Sequence, residues 1–211
     1  MIRRAWHGRD RRLAFGLAGV AVLFAVLGGG LLYGLRQDPP HLIGTNLGRH
    51  DLAPAFTLHD ASGQSLALDT LRGKVVVLTF LYTHCPDVCP LTADLLRRAD
   101  ELAGHPREVV YVAVSVDPSG DTPESIAAFE AEHRLSELGD RWHYLVGTPD
   151  ELGPVWSGYY VRQYEPAPAG TQPDHVSAIY LIDRRGNRRV LVHVDTPAEV
   201  IAHDEQALRK E

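Results

Sequence analysis

Hydrophobic and polar positions follow four distinct patterns along the chain. Residues 13–35 (LAFGLAGVAVLFAVLGGGLLYGL) run 23 positions without a charge. Residues 74–82 (KVVVLTFLY) and 108–116 (EVVYVAVSV) are β-branched runs, too apolar to lie half exposed, and predict two buried central strands. Residues 55–59 and 65–68 alternate around the turn-prone DASGQ and predict a hairpin. A helical pattern covers 91–103 and stops at Gly104. A second helix starts with Thr122 as N-cap and Pro123 in the first turn, and runs to about Leu135. A short strand follows at 142–146, then a helical stretch at 149–160 with a break expected near Gly153-Pro154. Residues 162–174 read as a polar loop. Residues 176–183 and 188–194 read as strands around the turn 184–187, and 196–208 as a closing helix.

The order is therefore hairpin, then β-α-β-α-β-α-β-β-α. Strands alternating with helices imply an α/β sandwich with a central mixed sheet, and the thioredoxin fold is the smallest common architecture with that order. The expected architecture is a thioredoxin-like sandwich with an added N-terminal hairpin, preceded by one transmembrane helix. The domain plan is a basic tail at 1–12, an anchor at 13–35, a linker at 36–54 and the folded domain at 55–211.

Length supports the anchor. A helix of 23 residues reaches roughly 34 Å, enough to cross a hydrocarbon core. Arg3, Arg4, Arg9, Arg11 and Arg12 precede it and only Arg36 follows closely, so the N-terminus belongs in the cytoplasm and the body outside it. The rival reading is a cleaved signal peptide. The stretch is long for a signal core, however, and no small-x-small site follows it closely. Either reading exports the body. The expected location is the inner membrane, single-pass, with a periplasmic or extracellular C-terminal domain.

Charge changes the picture once the N-terminus is set aside. The chain has a formal net charge of −6, but residues 37–211 hold 15 basic and 26 acidic residues, a net charge of about −11. An acidic body repels phosphate backbones, which excludes nucleic acid as the expected partner and suits a cation or a basic surface.

The chain has two Cys, and both lie within five residues at the end of the first buried strand. A domain of this size needs no disulfide staples, so the pair reads as chemical, the alternative being buried thiols or an inert disulfide. A strand-to-helix junction favours the thiolate through backbone N–H groups and the helix dipole. Spacing of four puts both sulfurs on one face if the segment is helical. The C-x-x-x-C spacing is one longer than that of dithiol oxidoreductases and leaves room to clasp an ion. A soft cation tolerating few ligands fits two thiolates and an imidazole, Cu(I) first and Cu(II) second, whereas zinc usually takes a fourth ligand.

FLYTHCPDVCP (80–90), SVDPSGDTPE (115–124) and DHVSAIYLID (174–183) resemble the three signature blocks of the Sco/SenC family, in order and spacing along most of 50–210. The resemblance implies a thioredoxin fold with inserted elements and an exported copper protein that helps assemble the binuclear copper site of cytochrome c oxidase subunit II. It implies Cys85, Cys89 and His175 as the copper ligands. Val176 departs from the pattern, standing where many relatives carry a hydroxyl. The implied role is a metallochaperone rather than an enzyme, with subunit II or another periplasmic copper or thiol protein as partner. The alternative is a membrane-anchored thiol–disulfide oxidoreductase that reduces a partner's cysteine pair, with Cys85 attacking and Cys89 resolving.

Other residues read less sharply. From position alone, His175 reads equally as a ligand or as a satisfied histidine at a strand end. His84 is expected to point away from the pair and tune its charge. Asp87 reads as a first-turn carboxylate, Asp117 as either a site neighbour or a turn former, and Asp121 as part of a helix start. Tyr159, Tyr160 and Tyr164 read as core or loop packing in preference to a partner surface.

Overall fold

The computed structural model describes residues 41–161 and 178–211, with helical positions at 24–26 and 28. Residues 40–211 form one compact unit, distinct from residues 1–39. Among the described residues no helix is long and apolar enough to cross a membrane. The expected anchor at 13–35 lies almost wholly outside them, as does the 162–174 loop.

Eight strands make one mixed sheet. In chain order they are β1 (Thr45–Asn46), β2 (Thr57–Asp60), β3 (Ser65–Ala67), β4 (Val75–Leu81), β5 (Val109–Ser115), β6 (Trp142–Val146), β7 (Ala178–Ile182) and β8 (Arg188–His193). Their spatial order is β1-β8-β7-β4-β5-β6-β2-β3. The centre, β4-β5-β6, is parallel, and β7 and β8 add antiparallel on one side. The expected hairpin is present, with Thr57 opposite Ala67 and β2 joined antiparallel to β6. Its turn closes on Asp60, whose carboxylate accepts the Ser62 and Gln64 amides at 2.9 Å each.

The two central strands are buried along their whole length, as their unbroken apolar runs require. Alternate residues serve opposite faces. Val75, Val77 and Leu81 join a core with α1 (Val88–Ala103), α2 (Pro123–Glu132) and α4 (Ala198–Arg209). Val76, Leu78 and Phe80 join a second core with α3 (Pro149–Gly158).

Three expectations change in detail. Helix α1 begins at Val88, three residues earlier than its periodicity suggested, and ends as expected on left-handed Gly104. Helix α3 continues through Pro154 without a break. A proline there removes only the bond to the Asp150 carbonyl, and Asp150 is exposed to water. Residues 41–54, expected as linker, fold onto the sheet. Thr45 and Asn46 pair with Leu191 and Val190, and Leu52 bridges Asn187. The buried Asp204 carboxylate accepts the Ile43 and Gly44 amides at 2.8 and 2.9 Å. A side chain at Gly44 would meet Val190 at 2.4 Å, so glycine is what lets the chain lie this close.

Candidate functional site

Parallel pairing brings the carboxyl ends of β4 and β5 to one edge, with Leu81 opposite Ser115. The loops leaving them, 82–87 and 116–122, emerge side by side. Crevices at such carboxyl ends are where open α/β sheets hold ligands.

The first loop carries the cysteines. Cys85 lies in a turn before α1, its amide donating to the Tyr82 carbonyl at 3.3 Å. Cys89 lies in the first turn of α1. The two are therefore not on one helical face, as their spacing suggested. They meet because the Cys89 amide donates to the Cys85 sulfur at 3.3 Å. That amide is one of the four first-turn donors a helix leaves unsatisfied. Asp87, at the N-cap position, makes no side-chain capping bond, so the Cys85 sulfur takes that part. A sulfur so placed meets the positive end of the helix dipole, which favours its thiolate.

Both thiols are withdrawn from water. Cys89 is fully buried and Cys85 is 6% exposed. The Cys89 thiol is pushed far above its ordinary range, first by its hydrogen bond to Cys85 and then by burial. The Tyr82 backbone pulls it back, while the charges of Cys85 and Asp121 push it further up. The neighbouring Cys85 sulfur and burial thus disfavour a second thiolate at Cys89. Two neighbouring sulfurs, soft and shielded from water, fit a soft cation such as copper and fit a hard one poorly.

Asp121 holds the loop from behind. It is 6% exposed, and its carboxylate accepts the Thr83 amide at 2.8 Å, the Ser115 hydroxyl at 2.5 Å and the Tyr144 hydroxyl at 3.0 Å. Sequence reasoning gave Asp121 to the start of α2. The structure gives that start to Thr122 and Ser125, which form a reciprocal capping box. Asp121 is thus surplus to the cap. An acid preceding an already complete Thr-Pro start is the signal that could have found it. Asp117 is the turn former: its carboxylate accepts the Ser119 hydroxyl at 2.8 Å and the Gly120 amide at 3.0 Å. A side chain at Gly120 would meet that carboxylate at 2.2 Å.

His84 is exposed, with Nδ1 at 3.1 Å from the Thr83 hydroxyl. Tyr159 is core, packed against Phe80 and Tyr180, while Tyr160 is exposed. His175, the third expected ligand, lies outside the described residues, as does Tyr164.

The sequence profile of the SCO1/SenC family matches residues 44–209. The chain is 29% identical over 133 residues to the SCO1 protein homolog of Bacillus subtilis, covering 62% of this chain and 68% of that protein. It is 31% identical over 143 residues to the mitochondrial Protein SCO2 of Saccharomyces cerevisiae, covering 64% of this chain and 45% of that one. The match thus spans less than half of the yeast protein. Among solved structures, Bradyrhizobium japonicum ScoI with copper bound superposes with a TM-score of 0.58 at 29% identity, over 74% of this chain and 99% of that one.

Proposed function

Because the chain belongs to the SCO1/SenC family, we propose that it is a copper metallochaperone. It holds one copper ion through Cys85, Cys89 and His175 and aids assembly of the binuclear copper site of cytochrome c oxidase. The observation that carries this reading is the 3.3 Å contact that joins Cys89 to the Cys85 sulfur at the opening of α1. Copper, when bound, supplies a soft centre that thiolates hold and exchange with other thiolates. The Cys85 sulfur faces the helix dipole, and Cys89 gives up its proton on loading. The surrounding core keeps water from both sulfurs. The third donor, neutral His175, comes from the family pattern.

We assign residues 13–35 to a single-pass anchor in the inner membrane, with 1–12 in the cytoplasm and the acidic body outside it. The charge-free stretch and the five arginines before it support this. A reporter enzyme active only after export, fused beyond Glu211, tests the topology.

The central experiment counts copper bound to the full chain and to Cys85→Ser, Cys89→Ser and His175→Ala. The parent should bind one ion, both cysteine variants should lose it, and His175→Ala should hold it more weakly with an altered spectrum. Full stoichiometry and an unchanged spectrum in all three variants sink the reading.

The contact of the Cys89 amide with the Cys85 sulfur, which holds the two cysteines together, favours one second reading, thiol–disulfide exchange with a partner's cysteine pair. Cys85 is the more exposed of the two. That role survives His175→Ala, needs no copper, and leaves a mixed disulfide trapped in Cys89→Ser.

A further inference from the structure

We infer that Asp121 is a positioning residue for the Cys85–Cys89 pair: its buried carboxylate fixes the backbone leading to Cys85 and stands behind the loop without a basic partner among the described residues, a charge that a bound cation would offset. The inference rests on the copper reading and deepens it.

Geometry carries the first half. Asp121 stands 38 residues from Thr83 yet takes its backbone amide at 2.8 Å, two positions before Cys85. The same carboxylate is fastened to the end of β5 through Ser115 and to β6 through Tyr144. Ser115 accepts the Asp117 amide at 3.2 Å, so its hydroxyl proton points to Asp121. The carboxylate accepts three hydrogen bonds, which favour its ionised form against the opposing push of burial. Three elements thus fix one end of the cysteine loop, and the Thr83 hydroxyl adds a bond to Ser125 at 3.0 Å.

Charge carries the second half. A buried carboxylate normally pairs with a cation, because leaving it alone in a poor solvent is costly. Two other buried acids meet that rule, Asp100 with Arg141 and Asp183 with Arg189 at 3.3 Å, whereas the buried Glu205 forms no ion pair among the described residues and burial pushes its carboxyl up. Among the described residues, no basic side chain forms an ion pair with Asp121. Its bond to the Thr83 amide places it behind the loop, two positions before Cys85. A bound cation provides the missing positive charge. On loading, the Cys89 S–H bond breaks as its bond to the ion forms. The proton goes to solvent, and no electron moves. A fixed negative charge favours Cu(II) over Cu(I), because the interaction scales with the charge of the ion.

The test uses the full chain with Asp121→Asn, which keeps an acceptor for Thr83 and removes the charge, and Asp121→Ala, which removes both. Affinities for Cu(I) and Cu(II) are measured by competition with chelators. Alkylation of Cys85 by iodoacetamide is timed in the metal-free chain. Asp121→Asn should lower Cu(II) affinity about tenfold more than Cu(I) affinity, the effect of one unit charge acting over about 12 Å at an effective dielectric of about 20. Asp121→Ala should weaken both and expose Cys85 to faster alkylation. Equal loss of both affinities in Asp121→Asn leaves only a structural role and overturns the charge claim. Unchanged alkylation in Asp121→Ala overturns the positioning claim. A parent chain that binds neither ion defeats the copper reading, and the alkylation arm then decides the role of Asp121 by itself.

Discussion

Near Tyr111, in the first half of β5, the buried Asp100 carboxylate accepts two bonds from the Arg141 guanidinium, one of them at 2.8 Å. His105 Nδ1 approaches it at 2.7 Å, and the Tyr111 hydroxyl links the cluster to the buried Glu205 at 3.1 Å. Just past Ser115, at the other end of the strand, Asp121 is as deeply buried and is met by hydroxyls and an amide. The two acids respond oppositely. Burial would raise the Asp100 carboxyl, but Arg141 and His105 overcome it and hold the group below its ordinary range. Burial wins at Asp121, and the bonds from Ser115, Thr83 and Tyr144 pull it back only in part. Asp100 is compensated, although Glu205 in the same cluster is not, burial pushing its carboxyl up. Asp121 is met by no basic side chain among the described residues, and it lies at the end that carries the cysteines, where a bound cation would offset its charge.

The largest expected effect breaks the Asp100 pairing. Arg141→Met strands Asp100 as a buried unpaired charge and should cost about 3–5 kcal/mol in urea unfolding. A loss below about 1 kcal/mol would remove the contrast between the two ends. The next prediction concerns pH. Burial pushes the Glu205 carboxyl from 4.5 up to about 8. Between those values the folded state holds a proton that the unfolded chain releases. The contribution of Glu205 to stability is therefore full below about 4.5 and falls as pH rises towards about 8. The fall amounts to at most about 5 kcal/mol. Glu205→Gln should flatten that slope in denaturation curves recorded across the range, and an unchanged slope would refute it.

Two smaller effects sharpen the other end. Thr122→Ala removes the cap of α2 and should cost about 1 kcal/mol, with the Cu(I) to Cu(II) affinity ratio unchanged. That separates capping from the role of its neighbour. Asp121→Asn in the metal-free chain should change stability by less than about 1 kcal/mol, because the lost charge had no cation to satisfy. A loss of about 3 kcal/mol or more in thermal or urea unfolding would show that Asp121 is compensated after all, and the two ends would be alike.

Much of this was legible along the chain. The unbroken apolar runs of β4 and β5, the Thr-Pro start of α2 and the Gly104 stop of α1 each follow from local rules, and the structure agrees to within a few residues. The cysteine pair stood out for its place after a buried strand. The pairing of Thr45 and Asn46 with β8 was not legible, because both residues are exposed and polar and show no alternation to read. Pro154 misled for the opposite reason: a strong local breaker sits where the lost bond faces water. The cysteine spacing suggested a shared helical face, yet Cys85 stays outside α1 and reaches Cys89 through its sulfur.

The sequence by itself determined the periods of its strands and helices, the junction at which Cys85 and Cys89 stand, and the family resemblance that names His175. Only the tertiary structure decided that Cys85 occupies the position of a helix cap and that Asp121, not a neighbour of the pair in sequence, holds their loop. The physical reason is that hydrophobic period encodes which face of an element is buried. Which distant loops share an edge depends on strand order and register, and these are fixed only when the sheet assembles.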